Sequence, residues 1–283
     1  MAAKRLLSDI VSLTPSNYDD FCRCPRLFYC KALLGLPASD PPASTDQGLL
    51  VHDMLRKIHV DGDCYDTDHV ADVLVAHGFD TPAVRDMVAR HADRCPSRSS
   101  ERAAHEVDLA RFHRTPPPMF MATARIDAVW IHDGIVDARD YKTGGKWIDD
   151  VSEIRAAHVQ AFVLAERARQ LGFRLRLRYE YLQAEIDEDP EVWEIDEDTL
   201  DSIEEELRAA VELMWAEEEW RGVAEVETCR TCQYRSICRD SAARGEPAWP
   251  VLSTEPAVGE NHEAAASGLQ SHAVPRRTAP THR

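Results

Sequence analysis

No stretch of the 283-residue chain is apolar for long enough to span a bilayer, and the leading MAAKRLLSDIV meets Asp9 before a hydrophobic run can form. The chain is therefore expected to be soluble and cytoplasmic, with no membrane partner. Cysteine is sparse. Eight in a chain of this length cannot build a secreted disulfide scaffold, and three of them crowd near residue 230, which favours metal chemistry in a reducing compartment. A Gly-x-x-x-x-Gly-Lys-Ser/Thr phosphate loop is missing, so the chain supplies no P-loop motor of its own. No internal repeat is visible, which excludes solenoids and propellers. Positive charge is also short, with 33 Lys and Arg against 50 Asp and Glu, a net of -17 that argues against a uniformly basic surface built for a polyanion. That shortage is local: Glu185 to Glu227 holds 19 acidic residues against only Arg208 and Arg221, so this segment carries the whole net charge and the remainder is neutral.

What is present is 44% hydrophobic content, enough to bury the core of one sizeable α/β domain with a terminal appendage. Residues 14 to 36 read as a helix entered through Thr14-Pro15-Ser16, with Ser16 as the expected cap and a turn at Gly35-Leu36-Pro37. A loop over Ala38 to Asp46 and a helix over 48–60 follow, then weaker helical patterns over 68–94. Strands are expected at 103–112, 120–132 and 135–142, and a helix over 152–171 that Gly172 stops. Phe173 to Tyr181 alternates strictly, with Phe173, Leu175, Leu177, Tyr179 and Tyr181 on one face and Arg174, Arg176 and Arg178 on the other, as a strand with one buried face requires. An acidic helix over 198–220 precedes the cysteine group. The tail 244–283, rich in Ala, Pro, Ser and His, has no periodicity and is expected to be disordered.

Asp133-Gly134 lies between two strand-like runs and is a preferred dipeptide for a two-residue type I′ hairpin. Its register sets Asp127 opposite Asp140 on one face of the ribbon, with Lys142 projecting from that face two residues further on. Like charges opposite each other destabilise a sheet, so such a pair needs an offset. A divalent cation supplies one. Two carboxylates can hold Mg²⁺ or Mn²⁺ while leaving positions for water and a phosphate oxygen, and a nearby lysine can orient the water or stabilise developing negative charge. Those parts suit phosphodiester hydrolysis; the plainer alternative is a solvated hairpin with two unrelated aspartates.

Cys229-x2-Cys232-x5-Cys238 sets three soft ligands within ten residues and lacks a local fourth. Four thiolates suit either a tetrahedral Zn²⁺ or a 4Fe-4S cluster, and the spacing does not choose between them. Cys64 and Cys95 read as ordinary thiols.

Taken together these segments resemble the RecB-like branch of the PD-(D/E)XK nucleases, including its CRISPR-associated and cluster-bearing exonuclease members. The signature is Asp127 followed by Asp140-Tyr141-Lys142-Thr143-Gly144. Gly48-Leu-Leu-Val-His52 is similar to the family's Gly-x-x-x-His helix, and Ser16 to Phe28, with Cys24 before Pro25, to its opening helix; the likeness runs with gaps from about 14 to 240. The resemblance implies a restriction-endonuclease-like α/β core with a mixed central sheet flanked by helices. It also implies a helical lobe over 48–94, and a junction of residues 14–36 with 225–240 through a 4Fe-4S cluster on Cys24, Cys229, Cys232 and Cys238. The nuclease domain would occupy 1–243. His52, Asp127, Asp140 and the Tyr141 carbonyl would bind Mg²⁺ or Mn²⁺, and Lys142 would be the catalytic lysine. Glu106, on the preceding strand, ranks below these. Gln160 matches the first residue of the family's Gln-x-x-x-Tyr helix, but Leu164 stands where the tyrosine should be. Arg174, Arg176 and Arg178 are candidate contacts to the DNA backbone, or simply a solvated strand face. The implied activity is hydrolysis of DNA at single-stranded ends in repair, recombination or CRISPR adaptation. Its rivals are a non-catalytic iron-sulfur or zinc DNA-binding module and a subunit active only with a helicase or CRISPR integration proteins.

Overall fold

Four of the described α-helices open alike, with a threonine or aspartate whose side chain accepts a hydrogen bond from the first turn. The computed structural model describes residues 10–39, 46–98, 100, 102–114, 118–144, 150–183 and 191–243; the expectation for 244–283 lies outside them. Strand β1 (Ile10–Leu13) leads into α1 (Pro15–Arg23), capped by Thr14 Oγ1 accepting from Asn17 N at 3.1 Å. The cap is thus Thr14 and not Ser16, because Pro15 suits the first helical position and needs no N–H there. The expected helix over 14–36 is broken at Cys24, whose extended backbone (φ -165°) is what the following proline imposes. Helix α2 (Pro25–Phe28) resumes and widens into a π turn over Tyr29–Leu33.

Helix α3 (Asp46–Asp61) starts the lobe, and the weak pattern over 68–94 resolves into α4 (Thr67–Ala76) and α5 (Pro82–Arg94). Asp66 caps α4, and Thr81 caps α5 with Pro82 at its first position. Strands β2 (Arg102–His113), β3 (Met119–His132) and β4 (Ile135–Lys142) follow the sequence reading closely. The hairpin has the expected register, with Ala128 opposite Arg139 and His132 opposite Ile135, and both Asp133 (φ 49°) and Gly134 (φ 69°) take the positive φ that a type I′ turn demands.

After a 3-10 turn over Val151–Glu153, α6 (Arg155–Leu171) crosses over and ends at left-handed Gly172. It delivers β5 (Arg174–Tyr181), parallel to β4, and then β6 (Glu191–Ile195), α7 (Glu197–Ala216) and α8 (Val226–Arg230). Short strands β1 and β6 escaped the sequence reading. The six strands form one mixed sheet in the order β1-β3-β4-β5-β6, with β2 on the other side of β3. This is the mixed α/β architecture with helices flanking a central sheet.

One face of the sheet packs against α1, α6 and α7 in a core that includes Phe120, Phe162, Leu177 and Met214, all 0 or 1% exposed. Helix α7 contributes Leu200, Ile203, Leu207 and Val211 to it and turns Asp198, Glu205 and Glu212 to solvent, so the acidic segment is in large part the outer face of an amphipathic helix. The other face, near the ends of β3 to β5, packs against the lobe: Ala128, Trp130, Tyr141 and Leu182 meet Met54, Leu55, Ile58 and Met87. Deleting a buried side chain as large as Trp130 would cost roughly 3–5 kcal/mol.

The lobe also corrects the reading of β5 as a strand with one buried face. Glu180, on its polar side, is fully buried, accepts from Arg139 Nη1 at 3.1 Å and pairs with His91 at 2.9 Å. Fully buried Asp137 pairs with Arg139 and Arg178. Charges buried in this way persist only when paired.

Candidate metal-dependent active site

The β3–β4 ladder ends at Ala128–Arg139, one step short of the two aspartates. Beyond it the strands part, and Asp127 Oδ2 accepts a hydrogen bond from the Tyr141 N–H at 2.7 Å. The hairpin thus delivers Asp127 and Asp140 to the same end of the sheet while the like-charged pair escapes regular pairing.

Helix α3 supplies His52, whose Nδ1 lies 3.2 Å from Asp127 Oδ1. Gly48, one turn earlier, explains why the two can meet: a Cβ there would sit 3.2 Å from Thr143 Oγ1 just after β4, so a glycine permits the close approach. Glu106 completes the group. Its carboxylate, one from Asp127 and a ring nitrogen of His52 offer ligand atoms all within 4.8 Å of one another. Glu106 holds φ at 51°, in the middle of β2, where a non-glycine residue is strained; such strain persists where the surroundings over-determine it and concentrates at functional sites. Sequence reading placed Glu106 below the other ligands, because its strand pattern carries no sign of that backbone.

Electrostatics point the same way. Burial raises the Glu106 pKa above the usual carboxylate value, and the charge of Asp127 raises it further. At His52 burial opposes protonation, but the hydrogen bond and charge of Asp127, the charge of Asp140 and a backbone hydrogen bond to Tyr141 outweigh it and lift the pKa. Both shifts reflect the negative charge of Asp127 concentrated in the space these groups share. Hard oxygen donors with one imidazole fit a divalent cation of the Mg²⁺ or Mn²⁺ kind.

Asp140 is held from the opposite face. Gln160 on α6 donates from Nε2 to Asp140 Oδ2 at 2.7 Å, and Tyr179 OH donates to Gln160 Oε1 at 3.2 Å. Lys142 Nζ lies 2.5 Å from Asp140 Oδ1 and 4.4 Å from the centre of the Tyr179 ring. Leu164 is buried in the core, and a tyrosine reaches Gln160 from β5 instead. Tyr179 was legible only as a buried strand residue, since alternation gives it the same place as Leu177. An open cleft of about 650 Å³, lined by Leu49, His52, Arg56, Glu106, Arg125 and Asp127, gives access to the carboxylates.

The three arginines of β5 do not share one environment. Arg174 is exposed, Arg176 pairs with Glu194, and Arg178 reaches the buried Asp137 at 3.2 Å.

At the other junction Cys24, Cys229, Cys232 and Cys238 line one cavity together with Cys30. Arg23 donates to the Thr228 carbonyl at 3.2 Å and also to Thr231, and Tyr234 OH donates to the Leu36 carbonyl at 2.6 Å, so segments some two hundred residues apart are already clamped. The four sulfur-bearing side chains therefore surround one space at this junction. Cys22 packs against the main core.

The mixed sheet with its flanking helices is consistent with the restriction-endonuclease-like fold of a nuclease. The sequence model of the PD-(D/E)XK nuclease superfamily matches residues 12–239, and the chain belongs to that superfamily. Among solved structures it is similar to SSO0001 at 13% identity (82% of this chain, 87% of that one, TM-score 0.36). It is also similar to a protein from Eubacterium rectale described as a candidate exonuclease, at 14% identity (73% and 81%, TM-score 0.42). No curated protein matches the chain. Among the described residues no helix is long and apolar enough to cross a membrane.

Proposed function

We propose that this nuclease is a Mg²⁺- or Mn²⁺-dependent deoxyribonuclease of the RecB-like branch that degrades DNA from single-stranded ends. The observation that carries the reading is the convergence of His52, Glu106 and Asp127 at the cleft, with Lys142 and Asp140 on the adjoining strand. When bound, the cation would supply a Lewis acid that polarises a phosphate oxygen and lowers the pKa of a bound water. His52, Asp127, Asp140 and the Tyr141 carbonyl would hold it, with Glu106 as a further ligand. Gln160 fixes the rotamer of Asp140, and Tyr179 fixes Gln160. Lys142, held against Asp140 and over the face of Tyr179, is placed to stabilise negative charge developing on the phosphate. Arg56 and Arg125, which line the cleft, and exposed Arg174 are the candidate backbone contacts.

The same proposal includes a 4Fe-4S cluster on Cys24, Cys229, Cys232 and Cys238. Closing a loop of some two hundred residues, it would act as a staple between the ends of the domain.

The test is degradation of end-labelled linear and circular single-stranded DNA by protein purified without oxygen, with Mg²⁺ or Mn²⁺. Linear DNA should disappear and circles persist, and Asp140→Ala or Lys142→Ala should abolish the reaction in a folded protein. Equal loss of circles would remove the end requirement, and cleavage retained by Asp140→Ala would remove the metal assignment. Cys24→Ser should lose iron and sulfide; iron lost with Cys30→Ser but kept with Cys24→Ser would transfer the fourth ligand.

A further inference from the structure

Cys64 and Cys95, ordinary thiols by their spacing, meet two histidines on the far side of the lobe from solvent. His59 is in the last turn of α3, Cys64 lies in the turn after it, His91 is in the last turn of α5, and Cys95 is the residue that caps α5. One ligand atom from each lies within 4.8 Å of every other. His59 Nε2 is 2.8 Å from His91 Nε2 and 3.7 Å from Cys95 Sγ. His91 is fully buried, Cys64 and Cys95 are 4% and 6% exposed, and both are free thiols.

A tetrahedral zinc with Zn–N of about 2.0–2.1 Å and Zn–S of about 2.3 Å holds its ligand atoms roughly 3.3–3.8 Å apart; the 3.7 Å separation lies in that range, the 2.8 Å one lies below it, and all four atoms stay within 4.8 Å of one another. The spacing fits as well, since the ligands come in two close pairs, His59-x4-Cys64 and His91-x3-Cys95, each at the C-terminal end of a helix. A second, independent feature orients them. The Nδ1 of His91 faces Glu180 Oε1 at 2.9 Å, and both side chains are fully buried. That contact suits Nδ1 as the donor and Nε2 as the ligand atom, the carboxylate–histidine arrangement that supports metal-bound imidazoles. His105 stacks parallel on His59 at 4.8 Å and holds the plane of the other ring.

We propose that His59, Cys64, His91 and Cys95 form a closed Cys2His2 site for a structural Zn²⁺, separate from the nuclease carboxylates and from the cysteine quartet at the chain junction. Four protein ligands fill the coordination sphere and leave no open position, so the ion's role is architectural. It ties α3, the turn after it and α5 to one point, and through Glu180 and Arg139 to the sheet. His52 stands seven residues before His59 on the same helix, so the ion also fixes the helix that presents a ligand to the active site.

The experiment uses the full chain, grown with supplementary zinc and purified without oxygen, with zinc and iron counted by mass spectrometry. The expected result is one zinc per chain that is lost from Cys64→Ser combined with Cys95→Ser, and retained in Cys24→Ser. X-ray absorption at the zinc edge of the unaltered protein should show two sulfurs near 2.3 Å and two nitrogens near about 2.0–2.1 Å, which keeps the test independent of whether the variants fold. Four sulfurs around zinc, or zinc that follows Cys24, would assign the ion to the other site and overturn the proposal. A zinc-free protein, or a Cys64–Cys95 disulfide found by alkylation under denaturing conditions, would overturn it too.

Discussion

His52 and His59 lie two turns apart on one face of α3, and each ends against a different partner: His52 is 3.2 Å from the Asp127 carboxylate and His59 is 2.8 Å from the ring of His91. One rigid helix therefore links the lobe interior to the active site, and a change at either end is expected to be felt at the other.

Glu106 offers the most direct check of the cleft. Glu106→Gln keeps the shape and removes a charge from the group shared with His52 and Asp127. Weaker Mg²⁺ affinity is expected, on the order of tenfold or more, with partial recovery at high metal concentration. An unchanged metal titration would show that Glu106 is not a ligand.

Gly48 tests the close approach of α3. In Gly48→Val the new side chain must push against Thr143, beginning with a Cβ contact at 3.2 Å. Cleavage is expected to fall by one or two orders of magnitude, in line with the cost of about 1 Å of misplacement, while the melting temperature changes little. Full activity would mean that the helix can shift without moving His52.

Arg139→Ala probes the buried network. It leaves Asp137 and Glu180, both fully buried, without this partner. Loss of about 3–5 kcal/mol is expected in urea unfolding, since an uncompensated buried charge remains. A loss under 1 kcal/mol would show that Arg178 and His91 suffice to neutralise the pair.

The acidic face of α7 yields an electrostatic prediction. Glu204 pairs with Arg111 and His113, and Glu206 with His158, so these two are structural and should be left in place. Neutralising exposed Asp198, Glu205, Glu212 and Glu218 should tighten non-specific DNA binding severalfold at low salt if this surface repels strands. The difference should vanish as the Debye length falls from about 10 Å at 0.1 M to about 3 Å at 1 M. Equal affinities throughout a salt titration would leave only a solvated helix face.

Local chemistry made much of the fold legible. Asp133-Gly134 permitted only a tight hairpin, and the register it set reappears as Ala128 opposite Arg139. Gly172 ended its helix in the left-handed conformation, and the alternation of Leu175, Leu177 and Tyr179 marked a face that is buried. Where two local signals competed the reading failed: Ser16 resembles a cap, but Pro15 moves the helix start so that Thr14 serves. The short strands β1 and β6 pair with β3 and β5 across the sheet, and a segment of four or five residues has too little periodicity to announce itself.

By itself the sequence determined the turn that sets the register of Asp127 and Asp140, the end of a helix at Gly172, and the close spacing of three cysteines, because each is written within a few consecutive residues. Only the tertiary structure decided that Glu106 joins His52 and Asp127, that Tyr179 holds Gln160, and that His59, Cys64, His91 and Cys95 share one buried point. These groups come from elements separated by loops and by whole helices. Their meeting depends on how the lobe packs against the sheet and on the pairing that buried Glu180 requires. Such relationships are set by packing and by the satisfaction of buried charge, and neither leaves a periodic trace along the chain.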